Sequence, residues 1–343
     1  MKAALLTGTH AIEIRQIDEP GIGPTDVLVE VKSCGVCATD VKKFAGGSQA
    51  PFMPFILGHE PAGIIRRVGS EVVGLEPGSR VAVAPVFTCG ACDACRSGRT
   101  FSLGMGMCRS YKVLGYSING AFAEAVAVPA RHVHPIPDAL SFRDAALIEP
   151  VAACANGATR ANASPPGTAV VVGAGFMGLV TLQLLRLLGH RVIATDLVEE
   201  RRRLASDLGA AAVVDPAAED AVQMVRKMTD GHGAEAVVCS VGGKKVTEDA
   251  LGMLAMGGTL VLLGSASGGT MFEVDLNRMH YDQTHVTGSV SYTGPGYQWA
   301  IDILSRGLVD ANRWITSDGP LEDVGRFLAM TRDLIGLKKV VLL

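Results

Sequence analysis

The stretch "VVVGAGFMG" near the middle of the chain restricts the fold of the segments around it. It places Gly173, Gly175 and Gly178 in the order G-x-G-x-x-G, after an apolar strand-like run and at the start of an apolar helical segment. In such a unit the first glycine permits a tight turn, and the second lets a pyrophosphate approach the helix N-terminus. Phe176 and Met177 complete the turn before the third glycine. The pattern predicts a dinucleotide site, although a turn without a ligand has the same spacing.

The residue after the next predicted strand indicates which dinucleotide is preferred. Asp196 ends the run "RVIATD", where a carboxylate can accept hydrogen bonds from the adenosine ribose hydroxyls. A 2′-phosphate at that position would be repelled, so NAD is expected in preference to NADP. Arg201 lies in the following "EERRR" segment, where it either complicates this preference as a cofactor contact or is a solvated helix residue.

Strand-like and helical segments alternate from residue 152 to residue 290. Runs such as "AEAVVCS" and "GTLVLLGS" lie between helical stretches, which predicts βαβ units and a doubly wound parallel sheet. Up to about residue 137 the chain instead contains short apolar runs broken by Gly and Pro, including "DVLVEVKSCGV", and this half is predicted to be rich in β-structure. Over 291–343 the chain again mixes strand-like and helical runs without a regular alternation. The predicted fold class is therefore α/β, with a parallel-sheet cofactor domain and a β-rich second domain.

Composition excludes several other classes of protein. The chain has 343 residues, enough for two cores, and a net charge of −3 without a basic tract, so nucleic acid is not expected as a partner. The apolar stretch from Ala169 to Leu185 contains three glycines, Thr181 and Gln183, which favours a strand, turn and helix over a membrane span. The N-terminus lacks a signal-peptide pattern, so we expect a cytoplasmic protein whose thiols stay reduced.

The heptapeptide "CGACDAC" predicts a metal site. It holds Cys89, Cys92 and Cys95, and clustered cysteines in the cytosol indicate metal or redox chemistry more often than disulfides. Cys108 is the natural fourth partner, so the loop of about 89–108 would close a structural zinc site with four thiolates. Two alternatives are a triplet that has lost its metal and a redox C-x-x-C. Redox motifs of that kind usually lie near βαβ units, whereas this one lies in the β-rich half.

A second set of candidate ligands is scattered along the chain. Cys37 lies in "GVCATD", His59 and Glu60 lie in "LGHEP", and Glu149 lies in "ALIEP". A thiolate, an imidazole and a carboxylate from distant segments suit a catalytic zinc ion with three protein ligands and one open position. The spacing alone also suits unrelated structural residues, since single histidines are usually structural.

These motifs together resemble the zinc-containing alcohol dehydrogenases. The residues that match the family signature are Gly58, His59, Glu60, Gly63, Gly69 and Val72. The motifs occur in the family's order, which is "GVCATD", "LGHEP", "CGACDAC" and then "VVVGAGFMG". The resemblance covers essentially the whole chain. The chain is most similar to the polyol branch of the medium-chain zinc dehydrogenases, which includes sorbitol, butanediol and threonine dehydrogenase-like enzymes. In support, Glu149 stands where alcohol dehydrogenases proper usually have a cysteine.

The resemblance implies the architecture and the roles of the site residues. It implies a GroES-like catalytic domain over 1–151 to which 291–343 returns, and a Rossmann cofactor domain over 152–290. Cys37 and His59 would be zinc ligands, and Glu149 would be the third ligand or hold the zinc-bound water. Glu60 would be an alternate ligand, and Asp40 would orient His59.

The implied reaction is the reversible oxidation of a secondary alcohol to a ketone, with hydride transfer to NAD and two zinc ions per chain. Thr39 would accept the proton of the substrate hydroxyl. Lys42 stands where the family often has a relay histidine, so it is either part of the relay or a solvated charge. Ser291 stands where sorbitol-like members have an arginine, which argues against sorbitol itself. A polyol, cyclitol, amino alcohol, sugar or small diol remains open as the substrate.

Two other functions are compatible with parts of the sequence. One is a double-bond reductase like the zinc-free relatives, against which the candidate ligands of the catalytic zinc argue. The other is a non-enzymatic cofactor-binding or scaffold protein with structural zinc only. For the assembly, the resemblance implies a homodimer or homotetramer with a small-molecule alcohol as its substrate.

Overall fold

A computed structural model describes residues 1–161, 166–266 and 268–343. These residues divide into two compact units, one of Met1–Ala152 with Thr293–Leu343 and the other of Ala153–Tyr292. The strands of the described residues are β1 (Lys2–Gly8), β2 (Ala11–Gln16), β3 (Asp26–Val36), β4 (Phe55–Ile56), β5 (Glu60–Val68), β6 (Arg80–Val83), β7 (Val86–Phe87), β8 (Lys112–Val113), β9 (Ala125–Pro129), β10 (Val133–Pro135), β11 (Thr168–Val172), β12 (Arg191–Thr195), β13 (Ala212–Val214), β14 (Ala234–Cys239), β15 (Leu254–Leu262), β16 (His285–Gly288), β17 (Ile315–Pro320) and β18 (Lys338–Leu342).

The helices connect these strands or flank them. Those of the described residues are α1 (Ala38–Phe44), α2 (Asp93–Arg96), α3 (Arg99–Leu103), α4 (Phe142–Ala145), α5 (Ile148–Ala161), α6 (Phe176–Leu187), α7 (Glu199–Asp207), α8 (Ala221–Met228), α9 (Lys244–Gly252), α10 (Leu276–Asp282), α11 (Gly294–Ser305) and α12 (Val324–Arg332). None of the helices in the described ranges is long and apolar enough to cross a bilayer.

The first unit is rich in β-structure, as the sequence predicts. Its main sheet has the order β10-β6-β5-β3-β18-β17, and β9 also pairs with β3. β3 lies inside this sheet, with β5 on one side and β18 on the other, and most of its residues "DVLVEVKSCGV" are buried. Its end pairs with the beginning of β5, with Gly35 opposite Glu60. This register brings the segments after β3 and before β5 side by side.

The second unit contains a six-stranded sheet of the order β13-β12-β11-β14-β15-β16. All of its strand pairs are parallel, and the first strand in the chain, β11, lies in the middle. This arrangement is the doubly wound order, in which the chain starts at the centre and winds outward in both directions. Apolar residues of β11, β12, β14 and β15 form the core with the flanking helices. The predicted α/β fold class is thus confirmed.

Candidate active site and metal centres

The four cysteines of the loop after β7 converge on one point. Cys92 immediately precedes α2, Cys95 lies within it, and Cys108 follows a short 3-10 turn. The Cys92 sulfur lies 3.5 Å from that of Cys95 and 4.0 Å from that of Cys108, and the sulfurs of Cys89 and Cys95 are 4.0 Å apart. Zinc–sulfur bonds of about 2.3 Å in a tetrahedron separate the sulfurs by about 3.8 Å. The spacing therefore fits one zinc ion.

Backbone groups around this cysteine cluster favour thiolates. The N–H groups of Cys89 and Cys92 point at the sulfurs of Cys108 and Cys89, at 3.2 and 3.4 Å. Hydrogen bonds from the N–H groups of Arg109 and Cys95 lower the pKa of Cys92 to about 6, whereas burial raises the pKa of Cys95 to about 11. None of the eight cysteines, all of which lie in the described residues, forms a disulfide. The donor set and its hydrogen bonds fit a closed metal site better than a disulfide.

A second cluster forms where β3 and β5 pair. Cys37 follows β3 as the N-cap of α1, and His59 and Glu60 stand at the beginning of β5. One donor atom from each of these three residues lies within 4.8 Å of the other two. His59 and Glu60 are buried, and Cys37 is partly exposed. A thiolate, an imidazole and a carboxylate at these distances fit a zinc ion with an open position.

Asp40 contacts this second cluster through both of its carboxylate oxygens. It lies in the first turn of α1, where its Oδ2 accepts a hydrogen bond from Cys37 N at 2.9 Å and its Oδ1 one from Gly58 N at 3.1 Å. Oδ1 also lies 3.5 Å from His59 Nδ1. Burial would lower the pKa of His59, but the charges of Asp40 and Cys37 outweigh it and raise that pKa well above its usual range. Asp40 thus faces one ring nitrogen of His59, which leaves the other ring nitrogen for a metal.

The cluster also contains an ion pair that the sequence analysis missed. Lys338, the first residue of β18, donates a hydrogen bond to Glu60 Oε1 at 2.6 Å, and both side chains are buried. Burial would lower the pKa of Lys338, but the charges of Glu60, Cys37 and Glu149 and the hydrogen bond to Glu60 together outweigh it and raise that pKa. The two residues are 278 positions apart in the chain, so no local motif could have revealed the pair. The one signal in the sequence is indirect: a carboxylate that is buried needs a cation nearby.

The remaining candidates for this site are Glu149 and two residues of α1, Thr39 and Lys42. Glu149 is in the first turn of α5 and is not among the three residues that converge within 4.8 Å. Burial raises its pKa to about 7, with His59 opposing the rise and Glu60 adding to it. Thr39 Oγ1 lies 3.7 Å from Cys37 Sγ, whereas Lys42 is exposed on the same helix.

The glycine turn of the second unit has open space where a ligand would approach. Gly173 has a φ of +88°, and a Cβ on Gly178 would collide with the Gly173 carbonyl oxygen, so neither position tolerates a side chain. Gly175 has no atom within 4 Å of the position of a Cβ. α6 begins directly after it with Phe176 and Met177, both partly exposed. The open position at a helix N-terminus fits a pyrophosphate.

Asp196 lies beside this turn, immediately after β12. It is buried, and its Oδ2 accepts a hydrogen bond from Ala174 N at 2.7 Å while its Oδ1 accepts one from Val198 N at 2.8 Å. Each carboxylate oxygen has a second lone pair for a ribose hydroxyl. Arg201 Nη1 lies 3.9 Å from Asp196 Oδ2, so it is near enough to meet a ligand at this carboxylate.

Comparisons with known proteins agree with both units. Residues 23–138 match the family described as alcohol dehydrogenase GroES-like domain, and residues 177–306 match the family described as zinc-binding dehydrogenase. A sorbitol dehydrogenase of Bacillus subtilis is 32% identical over 94% of this chain and 91% of its own length. An L-idonate 5-dehydrogenase of Vitis vinifera is 32% identical over 92% and 86%. A solved zinc-binding dehydrogenase from Sinorhizobium meliloti, bound to NADP, is 30% identical with a TM-score of 0.88 and covers 100% of this chain and 99% of its own.

Proposed function

Because the chain belongs to the zinc-dependent medium-chain alcohol and polyol dehydrogenases, we propose a role for each residue of its two metal clusters and its glycine turn. The protein is an oxidoreductase that uses zinc and NAD(P) and oxidises secondary alcohols. The observation that carries the assignment of roles is the convergence of Cys37, His59 and Glu60 beside Thr39 and Asp40.

Cys37 and His59 hold the catalytic zinc in this proposal. Bound zinc supplies a Lewis acid for the substrate hydroxyl, and the nicotinamide accepts the hydride. Asp40 keeps the imidazole of His59 in a fixed orientation. Glu149 would be the third ligand or would hold the water of the zinc site. Glu60, which is paired with Lys338 in the structure, would be an alternate ligand.

Thr39 accepts the proton of the substrate hydroxyl. Its oxygen lies next to the Cys37 sulfur, so it is close to where the hydroxyl would be held. Lys42 is exposed on the same helix and is the proposed outer end of the proton relay. A proton relay needs such a chain of groups, because the reacting hydroxyl is shielded while the proton must reach water.

NAD is the proposed cofactor in preference to NADP. The pyrophosphate would lie at Gly175 and the start of α6, in contact with Phe176 and Met177. Asp196 would accept hydrogen bonds from the ribose hydroxyls and repel a 2′-phosphate. Arg201 beside it would soften that repulsion, so we expect a preference for NAD and not complete exclusion of NADP.

The cluster of Cys89, Cys92, Cys95 and Cys108 is the proposed structural zinc site. Four thiolates leave no open coordination position, so this metal would hold the loop in place without touching the substrate. We also propose that 1–151 and 291–343 form the catalytic domain and that 152–290 binds the cofactor.

The substrate is proposed to be a polyol or one of its derivatives. A sorbitol dehydrogenase and an L-idonate 5-dehydrogenase are about equally similar to this chain, so both uncharged polyols and their acids are candidates. The test is a screen of secondary alcohols with NAD and with NADP, in which formation of the reduced nicotinamide is measured. Cys37→Ser is the control that should remove the signal. A signal that persists in Cys37→Ser, or its absence with every alcohol class, would contradict the proposal.

Two further properties are proposed, the location from the sequence of the N-terminus and the assembly from the family likeness. We propose a cytoplasmic protein that forms a homodimer or homotetramer. Size-exclusion chromatography with light scattering gives the mass of the assembly directly, and a monomer at micromolar concentration would contradict the proposed assembly.

A further inference from the structure

Lys43 is a buried cation next to the proposed active site. Its side chain is only 4% exposed, although lysines are rarely fully buried without a partner of opposite charge. Nζ donates a hydrogen bond to the Gln49 carbonyl oxygen at 2.7 Å and another to Ser48 Oγ at 3.4 Å. It also lies 4.2 Å from the ring centre of Tyr116. These partners are all uncharged.

The carboxylate nearest in sequence does not neutralise this cation. Asp40 lies one turn earlier on α1, but its oxygens serve the backbone N–H groups of Cys37 and Gly58 and the ring of His59. Within residues 1–161, 166–266 and 268–343, none of the ion pairs includes Lys43. Burial lowers the pKa of Lys43, with Asp40 partly opposing the shift, which agrees with an ammonium that lacks a counter-ion. Burial of an unpaired charge is costly, so this cation would gain from an anionic ligand.

Lys43 lies on α1 close to Thr39, the residue that marks the proposed position of the reacting hydroxyl. It lies four residues after Thr39 on α1, so the two side chains share one face of that helix. Four residues of α-helix advance about 6 Å along the axis. An anionic group a few carbon atoms away from the alcohol carbon would therefore come within reach of the ammonium. Tyr116 is 42% exposed, so the aromatic residue that contacts the ammonium reaches the protein surface.

We propose that Lys43 is a specificity residue that selects polyol derivatives carrying an anionic group, a carboxylate or a phosphate, near the alcohol that is oxidised. This inference rests on the proposed function, because it assumes that Thr39 marks the position of the reacting hydroxyl. Two of the three N–H donors of Lys43 have oxygen acceptors, and the anion takes the third. The contact with Tyr116 holds the ammonium in place.

The experiment compares hexitols with the aldonates and terminal phosphate esters of the same configuration, for several configurations. The readout is the ratio of kcat/KM for the anionic substrate to that for the neutral one. The ratio is independent of how much protein is folded, since both rates are measured on one preparation. Wild-type enzyme should prefer an anionic substrate, and Lys43→Met should lower the ratio by about 10–100-fold, mainly through the KM of the anion. The aldonate and phosphate arms identify which anion is used.

Two further variants serve as controls for the charge and position of Lys43. Lys43→Arg keeps a cation and should retain most of the preference. Lys112→Met removes a positive charge from an exposed residue of the same unit and should leave the ratio unchanged. A ratio that is the same in wild type and Lys43→Met, or a wild-type preference for the neutral hexitols, would overturn the proposal and show that Lys43 only ties α1 to the loop after it.

Calorimetry separates this proposal from the proposed function. If no alcohol is oxidised, the proposed function fails, but binding of the aldonates and phosphate esters can still be measured in the presence of NADH. Binding that weakens about 10-fold or more in Lys43→Met and not in Lys112→Met would support the specificity role on its own. Equal binding by the two variants, or no binding of any of these anions to the wild type, would contradict it.

Discussion

Replacing Cys92 by serine should disorder the loop of about 89–108 that carries the four clustered cysteines, here called the cysteine loop. It should leave most of the catalytic site intact. In residues 89–111 the structure buries only Ala94, Thr100, Gly104 and Cys108, all of them small. Helices α2 and α3 have 4 and 5 residues, which is too short for stability on their own. The loop therefore lacks a core of its own, and the converging thiolates are what can hold it. With one thiolate lost, the metal affinity should fall steeply.

The effect on global stability should be modest. Phe101 links this loop to another part of the unit, because its ring packs directly over Gly294 and fills the space that a Cβ there would take. Phe101 is 57% exposed, so this packing is worth about 1 kcal/mol, given about 1.5–3 kcal/mol for full burial. With small contributions from the buried residues, the loss should be about 1–2 kcal/mol, or about 2–8 °C in Tm.

The assay combines three measurements on Cys92→Ser. Limited proteolysis should show new cleavage within 89–108, native mass spectrometry should show one zinc ion fewer than wild type, and the initial rate should be largely retained. Cys154→Ser is the matched control, since it removes a buried thiol outside both clusters and should leave the zinc content unchanged. A Cys92→Ser protein with an unchanged protease pattern and unchanged zinc content would refute the assignment of this cluster as a metal site.

Three further predictions concern the cofactor site and the proton relay. Asp196→Ala should reduce the preference for NAD over NADP by about 10–100-fold, because charged hydrogen bonds to the ribose are lost, and binding titrations with NADH and NADPH measure it; an unchanged preference would refute the role of Asp196. Gly175→Ala should fold normally but bind NADH weakly, since its Cβ occupies open space, whereas Gly178→Ala should destabilise the second unit because its Cβ meets the Gly173 carbonyl oxygen; equal thermal stability of the two variants would contradict this distinction. Lys42→Ala should lower kcat and alter its pH profile while zinc content stays constant, and an unchanged profile would identify Lys42 as a solvated charge.

Many of the strands and helices could be predicted from the sequence because each has a strong local pattern of apolar residues. The segment "DVLVEVKSCGV" corresponds to β3 over Asp26–Val36, and "RVIATD" corresponds to β12 with Asp196 directly after it. α10 was not predicted, because Leu276–Asp282 has no buried residue and therefore no apolar periodicity. The short helices of the cysteine loop were also missed, since the proposed metal and not a core accounts for their order.

The candidate site was predictable only where its residues stand in motifs. Cys37, Asp40, His59 and Glu60 lie in two short stretches that the pairing of β3 with β5 brings together. Lys338 was missed because its contact with Glu60 depends on the C-terminal strand β18 pairing beside β3, which no local pattern indicates. The sequence suggested Glu149 as a primary ligand, whereas the three donors that converge include Glu60. This difference depends on side-chain positions of about an ångström, which spacing in a sequence does not encode.

The proposed function depends above all on a catalytic zinc ion that is held by Cys37 and His59 and is separate from the zinc of the cysteine loop. The most direct measurement is the zinc content of wild type and Cys37→Ser by native mass spectrometry, with the rate of NAD reduction on the best alcohol of the screen measured on the same samples. We expect two zinc ions per chain in wild type, one for each cluster, and one in Cys37→Ser, with its fold retained and its turnover abolished. Equal zinc content in the two proteins, or full turnover by Cys37→Ser, would contradict it.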